Sequence, residues 1–155
     1  MIIRRANKND VPFLNKLLIQ VCSVHSEGRP DLFKRGAKKY TDNELIALLS
    51  DENKPIFVAE NNGEVVGYCF CELQPRGGNI FHDRTTLYVD DLCVDEACRR
   101  QGIGERLYRY VVEFAKSKGC YDITLNVWSL NEKAIAFYEK LGLKPLKVYM
   151  EEILE

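Results

Sequence analysis

Only two histidines occur among the 155 residues, and none of the six cysteines forms a C-x-x-C pair. A tetrahedral zinc site draws on thiolates and imidazoles at short spacing, so this scarcity argues against structural or catalytic zinc. Cys69 and Cys71 alternate within an apparent strand and share one face, a spacing suited to packing. With Cys22, Cys93, Cys98 and Cys120 they read as buried, reduced thiols. A signal peptide, an apolar run of membrane length and a lipidation motif are also missing, which predicts a reducing cytoplasm. Charge of one sign is lacking too: 22 basic residues face 23 acidic ones, for a formal charge of −1. That balance leaves no electrostatic footprint for bulk nucleic-acid or membrane binding, and no metal is called for. Repeats, linkers and low-complexity tracts are absent, so residues 1–155 are read as one domain, long enough to bury roughly 70% of its unfolded surface.

What the chain does have is a strand that runs into a helix across residues 87–107. The junction is the loop Arg99-Arg100-Gln101-Gly102-Ile103-Gly104. A helix start offers backbone N–H groups with no intrahelical partner, the helix dipole adds partial positive charge, and glycine lets a ligand approach the main chain. Such a junction suits a pyrophosphate. A Walker loop is excluded because no Gly-Lys-Ser/Thr ends it, and a dinucleotide fingerprint is excluded because Leu107 stands where its third glycine belongs.

Residues 1–6 alternate as a first strand, after which Asn9 or Asp10 caps a helix with Pro12 in its first turn and Leu14, Leu17, Leu18, Val21 and His25 on one face. His25 there reads as a packed residue. Residues 26–40 break the periodicity and carry a basic cluster, Lys34, Arg35, Lys38 and Lys39, the usual mark of a solvated face. Thr41 with Glu44 forms a capping-box signature for a helix through Leu49. Residues 55–60 and 65–73 are strands joined through Asn61-Asn62-Gly63, a tight-turn signal. Residues 74–84 read as a loop before the organising strand. After that strand's helix, with Ile103, Leu107, Val111 and Phe114 inward, Gly119 marks the C-terminus. Residues 122–128 form another strand, Asn131 or Ser129 caps a short helix that Gly142 ends, and residues 144–152 alternate weakly as a last strand.

Two motifs in this order resemble the Gcn5-related N-acetyltransferases. The first is Arg/Gln-x-x-Gly-x-Gly/Ala after a strand, here Arg99, Gly102 and Gly104. The second is N-x-x-A-x-x-F-Y-x-x-x-G-F, here Asn131, Ala134, Phe137, Tyr138 and Gly142, with Leu143 at the last position as a packing substitution. The resemblance implies a single α/β domain, a twisted and mostly antiparallel mixed sheet with helices on both faces, opened where two central strands part. It implies acetyl-coenzyme A as donor and transfer to a primary amine by direct attack in a ternary complex. The loop from Arg99 through Arg100, Gln101, Gly102 and Ile103 to Gly104 would cradle the pyrophosphate. Leu92, Cys93 and Val94 would lie along the pantetheine arm, with the Val94 amide on the acetyl carbonyl. Asn131 would hold the arm from the other strand, and Ala134 and Phe137 would line its flank.

Tyr138 either belongs to the apolar stripe of its helix or donates a proton to the leaving thiolate. Asp90 and Asp91 are adjacent, so they face opposite sides of a strand unless a bulge intervenes. Asp90 matches the acidic position that some family members use as base; the alternative is that both aspartates are structural. An ordinary aspartate is too acidic to deprotonate an ammonium directly, so a water relay or an acidic amine is required. Residues 26–40 fall where the family walls its acceptor site. A small amine is the favoured acceptor, with a protein N-terminus or lysine as alternative. A coenzyme A-binding regulatory module is the reading from a different class, against which Tyr138 argues. A covalent route through Cys93 or Cys98 lacks a histidine base at a motif position. A homodimer is compatible with all of these.

Overall fold

Asn62 and Gly63 adopt left-handed backbone angles, φ 51° and 83°, which turn the chain tightly enough to pair β2 (Ile56–Asn61) with β3 (Glu64–Arg76). In this computed structural model, which describes residues 1–154, β1 (Ile2–Arg5), β4 (Arg84–Val94) and β5 (Asp122–Leu125) complete a sheet in the order β1-β2-β3-β4-β5. Neighbours are antiparallel except β4 and β5, which run parallel from Thr86↔Asp122 to Val89↔Leu125. Beyond that pair β5 ends while β4 continues to Val94, so the two strands part at Asp90. The mixed sheet and the parted pair match the sequence-based expectation.

Alternation along the central strands sorts side chains into two cores. Ile56, Val58, Tyr68, Phe70 and Cys93 pack under α1 (Val11–Gly28) and α2 (Asp42–Leu49), meeting Leu14, Leu17, Leu18 and Leu45. Phe57, Ala59, Cys69, Cys71, Leu87 and Val89 face the other way, onto Ile103, Leu107, Val111 and Ala115 of α3 (Ile103–Ser117). Each buried leucine contributes about 1.5–3 kcal/mol relative to exposure, so both layers are needed to hold the sheet. Gly67 lets α3 approach: a Cβ there would stand 3.0 Å from the Cys93 carbonyl oxygen and 3.1 Å from Leu107 Cδ1.

Local signals set most helix ends. Thr41 and Glu44 make both bonds of the capping box, Asn131 caps α4 (Glu132–Lys140) through the Ala134 N–H at 3.2 Å, and Gly119 and Gly142 take positive φ where α3 and α4 stop. The first helix differs from expectation at both ends. Asn7 caps a preceding 3₁₀ turn, and Asp10 spends its carboxylate on the Asn7 N–H and the Arg4 guanidinium, each at 2.8 Å, without capping α1. The helix also runs through residues 26–28, so the irregular segment begins at Arg29.

Three strand expectations change as well. Gln74, Pro75 and Arg76 belong to β3, paired with Thr86, Thr85 and Arg84, which shortens the loop to residues 77–83. Proline is tolerated because β2 ends its pairing with β3 at Phe70, leaving Pro75 no ladder partner on that side. The strand read as 122–128 stops at Leu125, since the parted β4 no longer offers a ladder. Residues 144–152 form no strand: they run unpaired, and Leu146, Val148 and Met150 are exposed. No helix among the described residues is long and apolar enough to cross a membrane.

Candidate active site

Where β4 leaves β5, its register against β3 slips: Phe70 pairs with Asp91 and Cys71 with Val89, which leaves Asp90 as the extra residue of a bulge. The bulge cancels the alternation, and both aspartates turn to phenols of the α1/α2 layer. The Tyr40 hydroxyl donates to Asp90 Oδ2 at 2.5 Å, and the Tyr68 hydroxyl donates to Asp91 Oδ2 at 2.7 Å. Lys39 Nζ closes on Asp90 Oδ1 at 2.8 Å. Tyr40 is steadied by stacking on Phe70, with ring centroids 5.5 Å apart. Asp90 is thus saturated by an ammonium and a phenol, while Asp91 has a single side-chain donor among the described residues. Burial pushes the Asp91 carboxyl up to about 6, against the opposing pull of the Tyr68 hydrogen bond. Burial likewise pushes the Tyr40 and Tyr68 phenols up, so both remain donors.

Tyr138 comes from α4 and packs toward α3. Its ring meets Phe137 at 5.1 Å and Tyr108 of α3 at 6.4 Å. Burial pushes its phenol up, and the Asp91 charge adds to the rise. The group therefore keeps its proton throughout the physiological range, and an alkaline limb from its ionisation lies beyond ordinary assays. The ring is packed, and the hydroxyl makes no hydrogen bond among the described residues.

The Arg99–Gly104 loop opens beside this centre. Arg100 and Gly102 take left-handed angles, φ 62° and 74°, and Gly102 leads into α3 with no side-chain cap. The first-turn amides of α3 are left without a capping oxygen, the donor set that an anion requires. The two glycines serve different ends. A Cβ at Gly102 would meet nothing within 4 Å, whereas one at Gly104 would press on the Phe137 ring at 3.2 Å. Gly104 thus admits α4. Arg99 folds back, its Nε donating to the Val94 carbonyl at 3.2 Å, while Arg100 and Gln101 are exposed. The Ile103 side chain is core, leaving only its amide for a ligand. Leu92 and Val94 pack on the α3 side and Cys93 on the α1 side, while Ala134 is half-buried on the first turn of α4. Ahead of the loop, Asp95 caps through the Ala97 N–H and pairs with Lys16 at 2.6 Å, tying β4's exit to α1.

Other sequence candidates settle into packing. His25 stacks on Phe33 at 5.1 Å, Phe33 meets Trp128 edge-on at 5.2 Å, and burial lowers the imidazole's proton affinity. The Cys93 thiol is pushed up to about 12 by burial and the Asp91 charge, so it is protonated and a poor nucleophile. No cluster of metal-ligating side chains occurs among the described residues. Sequence reasoning missed Lys39, Tyr40 and Tyr68. Tyr68 had a signal, its period-two place in β3, but Lys39 and Tyr40 read as part of a solvated basic run.

Comparison with known proteins agrees with this architecture. The model of the acetyltransferase (GNAT) family matches residues 19–143. An uncharacterized N-acetyltransferase of Bacillus subtilis, YhfO, is 30% identical over 142 residues, 92% of this chain and 89% of that one. A glucosamine 6-phosphate N-acetyltransferase of Trypanosoma brucei brucei is 35% identical over 92 residues, a stretch that spans 57% of this chain and 57% of that protein, little more than half of either. Among solved structures, the tetramutant of the BH1408 protein from Bacillus halodurans superposes with a TM-score of 0.95 at 30% identity, covering 99% of this chain and 100% of that one. The helix-opening loop, the parted strands and the Asn131 helix all lie within or at the edge of the matched region, and the chain belongs to the acetyltransferase (GNAT) family.

Proposed function

We propose that this protein transfers an acetyl group from acetyl-coenzyme A to a primary amine by direct attack in a ternary complex. The observation that carries the reading is the bulge at the parting of β4 and β5, which sets Asp90 beside Asp91 where the sheet opens. Acetyl-coenzyme A, when bound, supplies the acyl group and a thiol leaving group. The amides that open α3 would hold its pyrophosphate, with Arg100 and Gln101 at the mouth. The Leu92–Val94 backbone would run along the arm, Val94 N–H would polarise the carbonyl, and Ala134, Phe137 and Asn131 would close the far side. The Asn131 side-chain oxygen already caps α4, so its free amide N–H₂ is the group left to offer.

Asp90, built to bind an ammonium, seats the amine. Asp91, with its proton affinity raised toward neutrality, takes the proton directly or through water, a closer match to the operating pH than an ordinary aspartate. Tyr138 gives its proton to the departing sulfur. The buried, protonated Cys93 supports direct attack over an acyl-cysteine. A small amine is the favoured acceptor, consistent with the name of the trypanosomal relative, and the six free cysteines suit a reducing compartment.

The test is thiol release from acetyl-coenzyme A in the presence of a mixed panel of amines. Release is expected with at least one of them, whereas a regulatory module would bind coenzyme A and release thiol with none. Tyr138→Phe should bind cofactor normally and lower the single-turnover rate by about 10²–10⁴-fold, the usual worth of a positioned general acid. Unchanged single-turnover rates would remove Tyr138 from the chemistry.

A further inference from the structure

The seat proposed for the acceptor's ammonium holds an ammonium of the chain itself. Lys39 Nζ lies 2.8 Å from Asp90 Oδ1, and the adjacent Tyr40 hydroxyl donates to the other carboxylate oxygen. A primary amine on the residue that positions primary amines is a substrate by geometry. We infer that Lys39 is acetylated in cis, as the enzyme's own acceptor, an inference that rests on the acetyl-transfer reading above. The ammonium gives one proton to Asp91 or water, Nζ forms the bond to the acetyl carbon, and the thioester C–S bond breaks. Tyr138 protonates the leaving sulfur and is itself reprotonated by the second Nζ hydrogen through water. The products are N-acetyl-lysine, free thiol and one proton. Acetylation also abolishes the positive charge, which frees Asp90 for the ammonium of an external acceptor.

The full chain incubated with acetyl-coenzyme A and no amine is expected to gain the mass of one acetyl group, located at Lys39 by peptide mapping. The fraction acetylated per unit time should not depend on protein concentration, should vanish in Lys39→Arg and should fall sharply in Tyr138→Phe. Acetyl groups spread evenly over surface lysines, or a rate proportional to protein concentration, would overturn the inference. A chain that releases thiol with added amines yet stays unacetylated at Lys39 overturns this inference and leaves the transfer reading standing; a chain that releases no thiol with any amine and stays unacetylated overturns both.

Discussion

Asp91 carries opposite consequences for stability and for turnover. Burial holds its folded pKa at about 6, above the ordinary 3.8, so between those values the folded chain binds the proton more tightly than the unfolded one. The stability this contributes is complete below the ordinary value and lost as pH rises through about 6; at neutral pH the ionised carboxylate leaves the fold roughly 2–3 kcal/mol poorer than at low pH. Asparagine keeps an oxygen for the Tyr68 hydroxyl and never ionises. Asp91→Asn should therefore raise the melting temperature at neutral pH and leave it nearly unchanged near pH 4. The same substitution should lower kcat/KM and erase the acidic limb near pH 6 that the wild-type profile is expected to have. A variant no more stable at neutral pH, with its limb intact, would show that Asp91 neither suffers from burial nor accepts the proton.

At the scale of elements, what was legible in the sequence follows the range of the interaction. Thr41 with Glu44, Asn61-Asn62-Gly63, Asn131 and the terminal glycines act on backbone within four residues, so their letters suffice and the structure repeats them. The places of Tyr138 and Asp90 were legible through motifs whose spacing survives in one strand or one helix. The bulge was not, because it is a property of two registers: only the slip of β3 against β4 at Phe70 and Cys71 turns Asp90 beside Asp91. Lys39 and Tyr40 were hidden for a related reason. A basic run ordinarily faces water, and nothing local says that Asp90, some fifty residues on, will collect an ammonium and a phenol from it. The tail errs in the other direction, since residues 144–152 have a strand's alternation, but a strand exists only where another strand receives it.

For the molecule as a whole, the parted sheet joins the chemistry to the folding equilibrium. The α1/α2 layer supplies Lys39, Tyr40 and Tyr68 and the other side supplies Tyr138, so a ligand lodged between β4 and β5 binds only the folded chain. Acetyl-coenzyme A at about 100 times its dissociation constant should then add ~2.7 kcal/mol of stability. For a chain of this length that corresponds to a melting-temperature rise of roughly 5–10 °C. Gly102 is the position that separates this gain from the fold itself. Its φ of 74° is costly for a β-branched residue, and a Cβ there would enter open space without touching the core. Gly102→Val should therefore lose about 1–3 kcal/mol without ligand, from backbone strain alone, and remain folded. Added acetyl-coenzyme A should then produce little or none of the wild-type rise, because the side chain occupies the approach to the amides that open α3. The comparison is made by calorimetry on both proteins with the same free ligand. A full rise in folded Gly102→Val would mean that the cofactor's stabilising contacts lie elsewhere along β4, and that the glycine loop only turns the chain.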